Sequence, residues 1–265
     1  MSNKKLQETY EDIYKEGKEK FFSRFVNGKD ISETDERVWK CIDWNNKKVI
    51  DIGCGSGETA AGIAMLGANL VLGIDYSDNA IKVANERHCL ENLKFEVNSF
   101  DTIFSSNQEL FDVVISLGTL EHMDNPKLVL HEMLRMIDKN GKVILTCPFF
   151  INVRGLVWMT LALALDVPMS LTDKNFVSPF NIKEWLLGTG FELSEVTYFD
   201  YDRANGDLML TDMDKRLNNA LRDANLSTEG IPKLMEWLQN VVNHETESLE
   251  VMNGSSALYI IEREK

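Results

Sequence analysis

Residues 49–60, V-I-D-I-G-C-G-S-G-E-T-A, constrain this chain more than any other stretch. An apolar run interrupted by Asp51 passes into Gly53, Gly55 and Gly57, and helix-forming residues follow. The pattern predicts a buried strand over 48–52, a glycine turn, and a helix over 58–66 closed by Gly67. Glycine allows backbone conformations closed to other residues and lets a ligand come close to the main chain. The N–H groups that open the helix have no partner within it, so they face the turn as donors for polar or negative ligand atoms.

The same strand–helix rhythm continues down the chain. Strands are expected at 70–74, 93–97, 111–116 and 142–146. Ser77 caps a helix running to about residue 89, and Asn125-Pro126 opens one over 127–137 that Asn140-Gly141 ends. Such alternation implies a parallel sheet covered by helices on both faces. Past Cys147-Pro148 the rhythm loosens. Residues 149–165 read as an apolar helical insertion that could be a lid, a dimer surface or plain core. Asn181 and Glu184 form a capping box for a helix over 182–187, and 191–199 pairs with 257–262 as terminal strands. The acidic helical segment 203–254 is far longer than an ordinary connection. At the other end, 6–26 is amphipathic, with Tyr10, Ile13, Tyr14, Phe21, Phe22 and Phe25 on its apolar side, and a short helix covers 34–42.

The organisation expected is a helical cap over 1–44, an α/β domain over 45–200 and 255–265, and a helical insertion over 203–254. A chain of 265 residues can bury one such core with decorations. Its net charge of −14 disfavours nucleic acid as a partner. No apolar run reaches the roughly 18–20 residues that span a bilayer, and the N-terminal residues show no secretory signal, so a cytoplasmic protein is expected. Cys41, Cys54, Cys89 and Cys147 are scattered without metal-ligand spacing, so neither a metal site nor a disulfide framework is expected.

Asp51 to Gly57 spells D-x-G-x-G-x-G, which resembles motif I of class I S-adenosylmethionine-dependent methyltransferases. The nicotinamide-dinucleotide fingerprint, G-x-G-x-x-G, has its third glycine one position later, which argues against an oxidoreductase. Asp75 ends the second strand, F-D-V-V-I-S at 111–116 resembles the family's fourth strand with L-E-H at 120–122 after it, and 135–143 resembles its helix-to-fifth-strand passage. The resemblance implies a Rossmann-like, doubly wound, mostly parallel seven-stranded sheet with a helical N-terminal cap and a C-terminal helical insertion. It also implies S-adenosylmethionine as cofactor, S-adenosylhomocysteine as product, and a small-molecule methyl acceptor reacting at O, N or C. A homodimer remains open, as does the alternative of a non-catalytic cofactor-binding or partner-docking protein on the same fold.

By that resemblance Asp51, Gly53, Cys54, Gly55 and Gly57 hold the amino-acid portion of the cofactor, with Cys54 contributing backbone only. Asp75, followed by Tyr76, receives the ribose hydroxyls. Where the family often carries an acid for the adenine amino group, this chain has Ser99, so Ser99, the Phe100 N–H or Asp101 takes that role. Leu117, which opens the loop after the fourth strand, is placed beside the cofactor. Tyr14, or its neighbour Tyr10 one turn away, is a candidate for the methionine carboxylate, with Arg37 as a rival. His122, at the carboxyl edge of the sheet, either takes a proton from the acceptor or shapes the pocket. His88 and His131 read as solvated.

Overall fold

The computed structural model describes residues 32–106, 110–167, 173–244 and 254–265. Within them lies a seven-stranded sheet in the order β3-β2-β1-β4-β5-β7-β6. Its strands are β1 (Lys48–Ile52), β2 (Leu70–Asp75), β3 (Leu93–Val97), β4 (Phe111–Leu117), β5 (Ile137–Pro148), β6 (Phe191–Phe199) and β7 (Ser256–Arg263). β1 pairs in parallel with β2 on one side and β4 on the other. β2 pairs likewise with β3, and β4 with β5. A strand held on both edges and covered on both faces must be apolar nearly throughout. Val49, Ile50 and Ile52 are fully buried, and so is Asp51.

The helices of the sheet unit follow from their caps. α1 (Glu33–Cys41) starts at a complete capping box in which Ser32 and Asp35 bond reciprocally. α2 (Glu58–Met65) is built from small residues, and Ala60, Ala61, Gly62 and Ala64 let it lie close against the sheet. Trp39 of α1 lies over Gly62, and its indole N–H donates to the Thr59 carbonyl at 3.2 Å. α3 (Asp78–Arg87) is capped by Ser77, whose hydroxyl accepts from the Ala80 N–H at 3.1 Å. α4 (Phe100–Ser106) was not expected, whereas α5 (Pro126–Arg135) begins at the anticipated Asn125 cap with Pro126 in its first turn. α7 (Pro179–Leu186) starts ahead of the expected capping box.

Three readings are corrected. Asn140-Gly141 does not separate a helix from a strand, because β5 already starts at Ile137 and runs through it. Phe111 pairs with Ile137 but Val113 pairs with Lys142, so the intervening residues are absorbed as a register irregularity. His131 is not simply solvated: its Nε2 lies 2.7 Å from the Trp185 carbonyl, fixing α5 to α7. His88 is likewise half-buried, 6.3 Å from the Phe95 ring.

By its contacts the chain forms two units, one of residues 1–146, 179–196 and 258–265, the other of 147–178 and 197–257. This groups 147–178 with the acidic insertion. The second unit holds α6 (Val153–Leu165), α8 (Tyr201–Asn205), α9 (Asp207–Asp223) and α10 (Ile231–His244) around Phe150, Trp158, Met213 and Leu238. Asn152 caps α6 through the Gly155 N–H at 2.7 Å, and its amide donates to the carbonyls of Phe149 and Gly254 at 2.8 Å each. Trp158 is core, while Leu156 and Leu163 on the same helix are exposed. Among the described residues no helix is long and apolar enough to cross a membrane.

Gly155 sits where a Cβ would lie 2.1 Å from the Phe150 carbonyl oxygen, which is main chain and cannot swing aside. Gly155→Ala is therefore expected to destabilise the protein by about 1–3 kcal/mol, as overpacking does. Urea denaturation followed by tryptophan fluorescence checks it, and an unchanged midpoint would mean that the Phe150 backbone yields.

Candidate active site

The chain leaves β1 and turns over the end of β2. The N–H groups of Gly53 and Cys54 both donate to the Ile74 carbonyl, at 2.8 and 3.0 Å. The Gly55 N–H donates to one oxygen of Asp75 at 3.1 Å, and the Ser77 N–H to the other at 2.9 Å. Gly57 then closes the turn onto the Cys54 carbonyl at 3.0 Å. The turn is possible because Gly53, Gly55 and Gly57 have φ of +81°, +54° and +86°, where side-chain-bearing residues are strained. At Gly57 there is also no room, since a Cβ would meet the Phe95 ring at 2.5 Å.

Asp51 and Asp75 stand at this turn in different conditions. Asp75 is anchored by the two N–H donors. Asp51 is only 2 % exposed. Burial, then the charges of Asp35 and Asp75, push its carboxyl up to about 8. Burial first, then Asp51 and Asp75, push the Cys54 thiol well above its usual range, so Cys54 offers backbone and bulk, not a nucleophile.

The loop after β4 lies against the glycine turn. A Cβ at Gly53 would sit 3.0 Å from the Thr119 hydroxyl, and that hydroxyl donates to the Leu117 carbonyl at 3.1 Å. Leu120, Glu121 and His122 form one 3₁₀ turn, closed by the His122 N–H on the Thr119 carbonyl at 3.1 Å. His122 is half-buried and Glu121 buried. The structure thus brings together Asp51, Gly53, Cys54, Gly55, Gly57, Asp75 and the Leu117–His122 loop. Tyr76 follows Asp75 directly, its hydroxyl inside the protein.

At the end of β3, Ser99 is occupied as a helix cap. Its hydroxyl accepts from the Thr102 N–H at 3.3 Å and pairs with the Thr102 hydroxyl at 2.9 Å. The Phe100 ring packs on Phe104, 5.7 Å between centroids. Arg37 pairs with Glu33 at 3.3 Å on the exposed side of α1. Tyr10 and Tyr14 lie outside the described residues.

Sequence reasoning missed Asp35. One of its oxygens accepts from the Ser32 N–H and hydroxyl, at 3.1 and 2.6 Å, and the other from the Thr59 hydroxyl. The S-x-x-D spacing of Ser32 and Asp35 announces a helix start. Nothing local announces that the same carboxylate reaches the first turn of α2. Glu58 was also passed over. It receives the Ser56 hydroxyl at 2.6 Å and Arg87 at 2.9 Å, tying the glycine turn to the end of α3.

Residues 43–176 match a family model described as a methyltransferase domain. The ubiquinone biosynthesis O-methyltransferase of Pseudomonas fluorescens is 27 % identical over 186 residues, 67 % of this chain and 76 % of that protein. The protein of the same name from Klebsiella pneumoniae is 26 % identical over 165 residues, 59 % of this chain and 66 % of its own length. Among solved structures, magnesium protoporphyrin IX methyltransferase from Synechocystis, with bound S-adenosylhomocysteine, superposes with a TM-score of 0.54 at 15 % identity, covering 88 % of this chain and 82 % of that one. A putative S-adenosylmethionine-dependent methyltransferase from Listeria monocytogenes gives 0.54 at 15 % identity, covering 87 % and 98 %.

The raised Asp51 has a consequence for stability. An unfolded Asp titrates near 3.8 and the folded one near 8. Between those values the native state holds the extra proton, so this group's contribution is full below about pH 4 and is lost as pH rises towards 8. Asp51→Asn removes the effect. The stability of wild type relative to this variant should fall by up to about 1.4 kcal/mol per pH unit across that window. Urea unfolding at a series of pH values checks it, and parallel curves would show that Asp51 is ionised in the folded protein.

Proposed function

The chain belongs to the methyltransferase-domain family, and on that premise we propose that it methylates a small molecule, with the turn between β1 and α2 as its cofactor site. It is an S-adenosylmethionine-dependent methyltransferase on a Rossmann-like sheet. The observation that carries the proposal is the glycine turn bonded to the end of β2, with one acid buried beside it and another holding it. The residues fit the cofactor. Positive-φ glycines leave the main chain open to close approach, Asp75 stands at the strand end where ribose hydroxyls would be received, and the buried Asp51 carboxyl lies beside the turn.

In this reading Asp51, Gly53, Cys54, Gly55 and Gly57 hold the amino-acid portion and Asp75 with Tyr76 the ribose. Phe100 and Leu117 flank the base, and Ser99 supports that side as the α4 cap. Tyr14 stays a candidate for the carboxylate. The bound cofactor supplies a methyl group already activated on a sulfonium. The protein's task is to hold the acceptor in line and keep water out. The curated relatives are named O-methyltransferases, which favours an oxygen nucleophile. A hydroxyl must lose its proton, and His122, in the loop against the glycine turn, is the residue to receive it.

The acidic surface argues against a nucleic-acid acceptor. The cytoplasm suits a chain whose four cysteines are all unpaired. Light scattering after size exclusion reads out the homodimer. A non-catalytic cofactor-binding role finds no observation in its favour, and turnover with an acceptor library separates it.

Two substitutions test the site. Asp75→Ala removes charge-assisted hydrogen bonds worth roughly 1.5–3 kcal/mol each, so calorimetry should show cofactor affinity falling by more than about tenfold. An unchanged dissociation constant would leave Asp75 only its role of holding the turn. His122→Asn should lower turnover roughly 10²-fold with cofactor affinity intact, and the pH–rate profile should lose its ascending limb. Should that limb survive, His122 is not the base.

A further inference from the structure

α2 starts without a side-chain cap of its own. Its N-cap is Gly57, in the left-handed region at φ +86°, and a glycine has no side chain to bond the N–H groups of the first turn. Where the helix begins, and with it where the glycine turn ends, must therefore be set by other elements. Two residues of that first turn reach outward. Glu58 takes Arg87 at 2.9 Å, but the pair lies at the surface, where an ion pair holds little.

Thr59 is held from one helix on both of its polar groups. Its hydroxyl donates to Asp35, and its carbonyl accepts from the Trp39 indole N–H at 3.2 Å. Asp35 and Trp39 stand four positions apart on α1, so one face of that helix carries both partners. Gly62, three residues past Thr59, leaves the space that the Trp39 ring fills, since a Cβ there would lie 2.1 Å from Cε2. Asp35 cannot drift. Its other oxygen accepts from the Ser32 N–H and hydroxyl at 3.1 and 2.6 Å, and the residue is buried. A hydroxyl on a buried carboxylate makes a charge-assisted bond in a poorly screened setting, stronger than a neutral pair.

We propose that α1 positions the cofactor turn through Thr59. Asp35, Thr59 and Trp39 are positioning residues: they fix the first turn of α2, and so hold the glycine turn in the geometry that the amino-acid portion of the ligand needs. This rests on the reading of the turn as an S-adenosylmethionine site. With Thr59 released, the turn has to be ordered at the moment of binding, and that ordering subtracts from affinity.

The test separates positioning from plain stability. Thr59→Val replaces the hydroxyl by a methyl at nearly equal volume, and Thr59→Ser keeps the hydroxyl. Each variant is titrated by calorimetry at a temperature where urea unfolding shows it folded. Two probes are compared, S-adenosylhomocysteine and 5′-methylthioadenosine, which lacks the amino-acid portion. In Thr59→Val the dissociation constant for S-adenosylhomocysteine should rise roughly three- to tenfold, and that for methylthioadenosine by less than about twofold. Thr59→Ser should bind both as wild type does. Trp39→Phe, which keeps a ring and removes the N–H donor, should shift binding in the same direction as Thr59→Val. Adding Thr59→Val to Asp35→Asn should cost no more affinity than Asp35→Asn alone, because both break one contact. A lowered unfolding midpoint in Thr59→Val with an unchanged constant would make the contact purely structural and overturn the proposal. Equal weakening of the two probes would overturn it, and so would an equal loss in Thr59→Ser; the site assignment survives all three. A wild-type protein that binds neither probe would overturn both.

Discussion

Much of the site depends on what the end of β2 accepts. A single carbonyl, that of Ile74, takes the N–H groups of Gly53 and Cys54, and the next side chain takes those of Gly55 and Ser77. These four donors would otherwise be orphaned at a strand-to-helix junction. Satisfying them from β2 fixes where the chain turns, which in turn fixes the start of α2 at Gly57 and of α3 just past Ser77. Once the turn is fixed there, the β4 loop has one place to go, against Gly53 through Thr119. Asp75 is thus a structural acceptor first.

That hierarchy explains which parts were legible in sequence. The strand, the glycines and the two acids lie within a few residues of one another or at strand ends, and alternation of strand and helix signals places the ends on one edge. Asp35 was not legible as a site residue because its second partner, Thr59, is 24 positions away. Its local pattern had a complete explanation as a capping box. Ser99 shows the reverse. A ligand role suggested by resemblance meets a hydroxyl already engaged in capping α4, a helix too short and mixed in composition to stand out. At Asn140-Gly141 the turn signal was genuine but pairing with β4 overrode it, and the sheet took up the extra residues as an irregularity.

The second unit is organised by a different economy of charge. Arg154 sends two N–H groups to one oxygen of Asp212, each at 3.1 Å, and Arg216 adds a third at 3.3 Å while its guanidinium lies 4.8 Å from the Trp158 ring centre. Burial lowers Arg154 and the Asp212 carboxylate opposes that shift. Buried pairs of this kind add little net stability, but removing one partner leaves a charge stranded, so they favour one packing of α6 on α9 over its alternatives. The periodicity of 149–165 left lid, dimer surface and core open, and Trp158 lies in the core. It could not show that an arginine of the same helix would be buried with it, since that needs Asp212 from a helix far along the chain.

The two halves of the reaction differ in how much chemistry they ask of the protein, and legibility follows that difference. Holding one cofactor demands main-chain geometry that few sequences satisfy, so glycines and acids recur at fixed spacing and can be read without a structure. The acceptor's methyl-receiving atom asks only for placement and, where it is protonated, for one base. Many side chains in many arrangements meet that demand, so it leaves no spacing to read. His122 sits on the boundary between the two. Its backbone is held by the turn that lies against the glycine loop. Backbone need therefore explains why a residue stands in the Leu117–His122 loop at all, and in the proposed reading acceptor chemistry is what asks for a histidine there.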